Sequence, residues 1–168
     1  PRPAGRSADA VTVLSPEVNA VLAQFRVIFR SVRRHDRYIE ERSGIGAMQL
    51  RALAMVESRP GIGVTELAAA LLVHQPTASK LVEHLVGLGF VLRHRSADDA
   101  RFVEVHATPA GRTVLSRAPA PVLGILPDGL QSLGPVALKQ LNRALAALMA
   151  KMKRRDDDAR FEPLSESP

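Results

Sequence analysis

Five of the six polar side chains between residues 75 and 84 offer the clearest recognition chemistry in this sequence. They are an amide, two hydroxyls, an ammonium group and an imidazole, at Gln75, Thr77, Ser79, Lys80 and His84. An amide can pair bidentately with adenine, a threonine methyl can meet a thymine methyl, and an ammonium group can bind a phosphate or a guanine. The cluster therefore carries groups suited to reading a nucleic acid.

Two short helices joined by a tight turn must position this cluster. Residues 64–72 predict the first helix, in which Thr65 can cap the start and Glu66 complements the helix dipole. Pro76 predicts that the second helix begins at about residue 76, because proline fits the first helical position. At about 100° per residue its apolar side chains fall on one side and most of the polar cluster on the other. One face of the second helix is therefore predicted to pack against the protein core, and the other face is predicted to be exposed to a partner.

A hairpin follows the second helix. Gly89 suits a helix end in the left-handed region, and residues 90–94 and 102–106 are β-prone runs around a polar segment that contains Arg101. A presented helix followed by a hairpin with a basic tip fits duplex DNA, with the helix in the major groove and the tip in the neighbouring minor groove.

The order and spacing of these motifs resemble the MarR (multiple-antibiotic-resistance regulator) family of winged helix-turn-helix transcription regulators. The resemblance is detailed over about residues 45–115, and it rests on Thr65-Glu66-Leu67-Ala68, Gln75-Pro76-Thr77-Ala78-Ser79-Lys80-Leu81-Val82, Leu88-Gly89-Phe90-Val91, Asp99-Ala100-Arg101 and Thr108-Pro109-Ala110-Gly111. It implies a mainly α fold with a small β-hairpin wing, and a homodimer that binds a pseudo-palindromic operator. It also implies a repressor that a small aromatic or anionic ligand releases from DNA.

The hairpin tip carries the strongest single candidate. We expect the Arg101 guanidinium to enter a narrow A·T-rich minor groove, where the negative potential is deepest. Asp99 matches the acidic wing position of the family and is expected to orient Arg101 by an ion pair, while Arg95 adds a phosphate contact. The alternative is that residues 98–101 form an ordinary solvated turn.

Long helices are predicted on both sides of this unit. Ser15 and Pro16 predict the start of a first helix that reaches about residue 41, and Pro135 opens a last helix. Pro119 and Pro121 predict a break near residue 118, which departs from the uninterrupted helix usual in the family. The first and last helices both carry apolar stripes, so we predict that they are buried against a second copy of the chain.

These observations predict five segments. They are a flexible arm at 1–12, a helical dimerisation region at 13–42 and 108–155, a winged helix-turn-helix DNA-binding domain at 43–107, and a flexible tail at 156–168.

An arginine stripe at positions 26, 30, 33 and 37 of the first helix has two interpretations. It can be a solvated face paired with Asp36, Glu40 and Glu41. Alternatively, Arg33 or Arg37 faces an anionic effector or the DNA backbone. The resemblance implies an effector cleft between the dimerisation helices and the DNA-binding lobe, and Arg33, Tyr38 and Met48 are its candidate lining residues.

Composition sets wider bounds. The chain has 168 residues, a formal charge of +6 and a pI of about 10.7, which fit a polyanionic partner. It has no cysteine, so disulfides and thiolate sensing are excluded. No apolar run approaches the roughly 20 residues that span a bilayer and no signal-peptide pattern is present, so we expect a cytoplasmic protein.

Two rival functions remain open. An enzyme is disfavoured because the five histidines lack metal-ligand spacing and no serine lies on a glycine elbow, so neither a cofactor nor a metal site is predicted. A winged helix for protein contacts or sequence-neutral DNA binding is the second rival. Specific DNA outcompeting random duplex by about a thousandfold distinguishes the main hypothesis from it.

Overall fold

A computed structural model describes residues 13–95, 102–152 and 156–161, and these ranges form seven α-helices and three short β-strands. The elements are α1 (Pro16–Ser43), α2 (Ala47–Ser58), β1 (Ile62–Gly63), α3 (Val64–Leu71), α4 (Gln75–Gly87), β2 (Val91–Arg95), β3 (Val103–Ala107), α5 (Pro109–Arg117), α6 (Ile125–Gln131) and α7 (Pro135–Lys151). A 3₁₀ turn at Asp158–Phe161 follows. The predicted fold class, mainly α with a β-hairpin wing, is confirmed.

The first helix begins and ends as the sequence predicts. The Ser15 hydroxyl accepts a hydrogen bond from the Val18 N–H at 3.3 Å, and Pro16 occupies the first turn. Bonds from its own backbone N–H and from the Ser15 hydroxyl hold the pKa of Glu17 below its ordinary value. The helix stops at Gly44, whose φ of 74° is a left-handed conformation that suits glycine.

The capping residue of α3 differs from the prediction. Thr65 does not cap this helix, because the helix begins at Val64, as predicted, and the residue at the cap is Gly63, which has no side chain to accept a bond. Thr65 lies within the first turn and is exposed. The helix ends at Leu72, which adopts a left-handed φ of 54° and turns the chain toward α4.

Residues 61–63 form more than the turn that their glycines suggest. Ile62 and Gly63 make strand β1, which pairs antiparallel with β3 in the register Ile62 to Val105. The sheet order is β1-β3-β2, and the hairpin of β2 and β3 lies one residue later than predicted, pairing Val91 with Ala107. A strand of two residues is too short to show an alternating apolar pattern, so the sequence could not predict β1, and only its pairing with β3 identifies it.

The core lies where α2, α3 and α4 meet the sheet. Its largest fully buried side chains come from α1, α2, α3, α4 and both hairpin strands: Ile39, Leu50, Leu53, Val56, Leu67, Val82, Leu85, Val91 and Val105. One continuous apolar cluster therefore holds α4 against the sheet and α2, so the position of α4 is fixed by packing on one side only.

The C-terminal helices leave much apolar surface uncovered. The helix that Thr108 caps ends at Arg117, so the predicted break near residue 118 is confirmed. No residue of α7 is buried, and the only buried residues of α1 are Val32, Asp36 and Ile39 in its second half. Large apolar side chains of these two helices are exposed, among them Val18, Val21, Val27, Phe29, Val136, Leu138, Leu148 and Met149. Within the described ranges, no helix is long and apolar enough to cross a membrane.

Candidate nucleic-acid interface

Helix α4 presents its polar side chains on the face away from the core. Gln75, Thr77, Lys80 and His84 are exposed, and Ser79 is half-buried. The opposite face, formed by Ala78, Val82 and Leu85, is fully buried. Val86, which the apolar pattern places on the packed side, is 38% exposed, so the packed face is narrower than predicted.

No side chain caps the amino-terminal end of α4. Gln75 is the first residue of the helix rather than the residue ahead of it, and Pro76 follows in the first turn. His74 precedes the helix and forms no side-chain capping bond. The free amides of a first helical turn carry partial positive charge, so this end of α4 has the polarity that a phosphate requires.

The strands of the wing lie beside α4. Arg95 is exposed at the end of β2. Arg93, two residues earlier on the same strand, lies 4.0 Å from the Glu83 carboxylate on α4. The other two wing candidates, Asp99 and Arg101, lie outside the described residues. The ion pair by which Asp99 orients Arg101, and the contact of Arg101 with the minor groove, therefore stay predictions.

Three polar side chains of the two hairpin strands, His94, Glu104 and His106, lie close together. Nε2 of His106 lies 3.1 Å from Oε2 of Glu104, and the rings of His94 and His106 are 5.6 Å apart at their centroids. Across the parts of the chain that the structure describes, no group of three or more histidine, aspartate or glutamate side chains could hold a metal ion.

A cavity of about 440 Å³ lies behind the interface, between α1, α2, the turn from α3 to α4, the start of α6 and the C-terminal turn. Met48, one of the predicted effector residues, lines it. A second cavity of about 320 Å³ has Arg33 and Met48 in its wall. Tyr38 lines neither cavity, because its ring points outward with the Arg42 guanidinium 5.7 Å from its centroid.

An ion pair in the larger cavity is the main feature that the sequence analysis missed. Asp36 was interpreted as part of a solvated face, but it is 8% exposed and accepts a hydrogen bond of 2.5 Å from Nη2 of Arg51 on α2. Oδ2 of Asp36 and Nε of Arg51 are buried without a hydrogen-bond partner among the described residues. The spacing along α1 could have indicated that Asp36 is buried, since position 36 lies on the same helical face as the buried Val32 and Ile39.

The geometry defines a class of protein. A helix-turn-helix of α3 and α4, packed on α2 and followed by a β2–β3 hairpin that pairs with β1, is a winged helix-turn-helix. Residues 43–101 match the model of the MarR family. The similarity to the MarR family that the sequence indicated is therefore confirmed for this segment.

Solved structures share this fold at low sequence identity. A MepR-like protein complexed with pseudoligands is 17% identical, with a TM-score of 0.57, and the match covers 80% of this chain and 94% of that one. A mutant MarR from E. coli complexed with operator DNA is 22% identical, with a TM-score of 0.54 and coverage of 80% and 99%. The transcriptional regulator BldR from Sulfolobus solfataricus is 22% identical, with a TM-score of 0.53 and coverage of 83% and 100%. A search of curated proteins found no significant match.

Proposed function

We propose that this protein is a sequence-specific regulator of transcription that binds double-stranded DNA. The observation that carries the proposal is the outward polar face of α4, with Gln75, Thr77 and Lys80 exposed at the end that a winged helix places in the major groove. The match of residues 43–101 to the MarR family supports it. So does the complex of the E. coli relative with operator DNA.

The proposal includes a two-fold homodimer on an inverted repeat. Helix α7 buries none of its residues in the single chain, and Val136 at its start is 70% exposed. Apolar stripes of this length are stable in water when a second copy covers them. Two recognition helices related by the dimer axis would enter successive major grooves about 34 Å apart.

Removing a charge from the proposed interface is expected to weaken DNA binding. Lys80→Ala should raise the Kd for a selected operator about tenfold and reduce the steepness of its salt dependence by about two units, because one phosphate contact is lost from each of the two half-sites. Arg101→Ala should have at least as large an effect, most of it at A·T-rich flanks. Fluorescence anisotropy with a labelled duplex at several salt concentrations measures both.

Lys139→Ala on the exposed face of α7 is the matched control, since it removes the same charge away from the interface. It should leave the Kd within about twofold of the wild-type value, as expected for a screened distant charge. Unchanged affinity in Lys80→Ala, or equal affinity for operator and random duplex, would contradict a specific regulator.

We further propose a repressor whose DNA affinity a small aromatic or anionic ligand lowers. The supporting observation is the larger cavity, whose volume suits a small molecule and whose wall is mostly apolar. The unpartnered Nε–H of Arg51 can donate a hydrogen bond to an anion there. Arg33 borders the second cavity and supplies a further positive charge nearby.

Hydroxybenzoic acids are expected to raise the operator Kd at least fivefold, which is the lower range of allosteric coupling. Leu123→Trp should abolish the response by filling the cavity that Leu123 lines. Leu133→Trp adds the same ring at a position outside both cavities and should keep the response. An operator Kd that no tested acid changes, measured by anisotropy, would count against the ligand-released repressor.

A further inference from the structure

The C-terminal turn, Asp158–Phe161, packs against the helix-turn-helix. Ala159 and Arg160 form part of the wall of the larger cavity. The Phe161 ring is half-buried, and its centroid lies 4.7 Å from that of the His74 ring at an angle of 51°. Aromatic contacts of this distance are favourable, so Phe161 anchors the segment.

The contact falls at the end of α4 that is proposed to enter the major groove. His74 is the residue immediately before the helix, and Gln75 is its first residue. An aromatic side chain against His74 therefore stands next to the space that DNA would occupy. Docking of the turn and close approach of a duplex to this end of α4 compete for the same surface.

The charge of the segment reinforces this competition. Residues 156–161 contain three carboxylates, at Asp156, Asp157 and Asp158, and one guanidinium, at Arg160. Nε of Arg160 donates to the backbone oxygen of Asp157 at 2.7 Å, which holds the turn together. The Asp157 carboxylate also lies 3.9 Å from the Arg160 guanidinium. The segment as a whole carries a net negative charge, which would repel a DNA phosphate brought to the same end of α4.

We propose that residues 156–161 act as an autoinhibitory segment that competes with DNA for the amino-terminal end of α4. Phe161 supplies the anchor on His74, and the net negative charge of the segment opposes the approach of a DNA phosphate. The apparent affinity for DNA is then lowered by the fraction of molecules in which the segment is docked. This inference rests on the proposed function.

Releasing the anchor is expected to strengthen DNA binding. Phe161→Ala should lower the operator Kd about tenfold, which corresponds to a segment docked in about nine molecules of ten. Phe161→Tyr keeps the ring and should bind like the wild type. Anisotropy with the full-length chain measures each Kd, and a thermal unfolding curve checks that each variant is folded.

The charge is tested by a double substitution with a matched control. Asp156→Asn with Asp157→Asn should lower the Kd about threefold at low salt, and the gain should shrink as salt screens the segment. Glu41→Gln with Asp128→Asn changes the net charge by the same amount at exposed positions of α1 and α6, and should have a smaller effect.

These experiments distinguish a failure of the autoinhibitory segment from a failure of the proposed function. Specific binding by the wild type with an unchanged or higher Kd in Phe161→Ala would overturn the autoinhibitory segment and leave the proposed function standing. Binding of no duplex by the wild type, Phe161→Ala or the aspartate variant would overturn both. A gain in the control double variant equal to that of the aspartate variant would reduce the effect to net charge and overturn the role of the segment's aspartates.

Discussion

Arg51→Met is expected to lower the free energy of unfolding by about 3 kcal/mol or more, since breaking a buried ion pair on one side leaves the other charge uncompensated. The charge left behind belongs to Asp36, which is 8% exposed and receives a hydrogen bond from Nη2 of Arg51. Its second oxygen already lacks a partner among the described residues. Urea unfolding at a fixed protein concentration measures the change, because a dimer's stability depends on concentration.

The double variant Asp36→Leu with Arg51→Met separates the pair from the cost of an orphaned charge. Apolar residues of similar volume at both positions are expected to recover most of the lost stability, as buried ion pairs often contribute little net stability. Arg33→Met removes an exposed arginine from the same face of the molecule and should change stability by less than about 0.5 kcal/mol. A loss below about 1 kcal/mol in Arg51→Met would show that the Asp36 carboxylate finds water or another partner.

The pair also bears on the proposed ligand response. It joins α1, which belongs to the predicted dimerisation region, to α2, on which α4 packs, and it lines the larger cavity. A ligand that engages Arg51 would act directly on the connection between these two parts. We therefore expect Arg51→Met to weaken the response to hydroxybenzoic acids as well as stability.

Gly111→Ala is expected to destabilise the fold by about 3 kcal/mol, at the upper end of overpacking effects. A Cβ atom at position 111 would lie 2.3 Å from the Phe90 carbonyl oxygen and 3.1 Å from Cδ1 of Leu53. The first neighbour is backbone and cannot rotate away. The Thr108 backbone N–H donates to this Phe90 oxygen at 2.9 Å. The Thr108 hydroxyl fixes the surrounding backbone, since it donates to the Gly89 oxygen at 2.7 Å and accepts from the Gly111 N–H at 3.1 Å.

Gly129→Ala is the control for this substitution. Gly129 lies in α6, is exposed, and an added Cβ would meet no atom within 4 Å. The change should be neutral or should stabilise the helix by up to about 1 kcal/mol, because alanine has the better helix propensity. Equal melting temperatures for Gly111→Ala and the wild type would show that α5 can move away from Phe90.

The sequence predicted the elements whose signals are local. Ser15 with Pro16, Pro76, Thr108 with Pro109, and Pro135 each mark the start of a helix that the structure contains. Pro119 correctly predicted the break after α5. The apolar period of α4 identified the side that packs, apart from Val86. Such signals work because caps, proline and helical periodicity act within one or two turns of chain.

The features that the sequence analysis missed depend on partners far away in the chain. Strand β1 exists because β3 passes beside it, and Gly63 rather than Thr65 caps α3 because the chain leaves that strand at residue 63. Asp36 has a carboxylate that is typical of a solvated face, and only its pairing with Arg51, on the next helix, keeps it buried. Tyr38 is one residue away from the buried face of α1 and points outward.

By itself, the sequence determined the order of helices, the presented face of α4 and the similarity to the MarR family, because these follow from short-range spacing. Only the tertiary structure decided where the cavities lie, that Asp36 and Arg51 pair between α1 and α2, and that Phe161 meets His74. Each of these contacts joins residues on separate elements. Their formation depends on how the helices pack, and helix packing is set by the whole core rather than by any local run of residues.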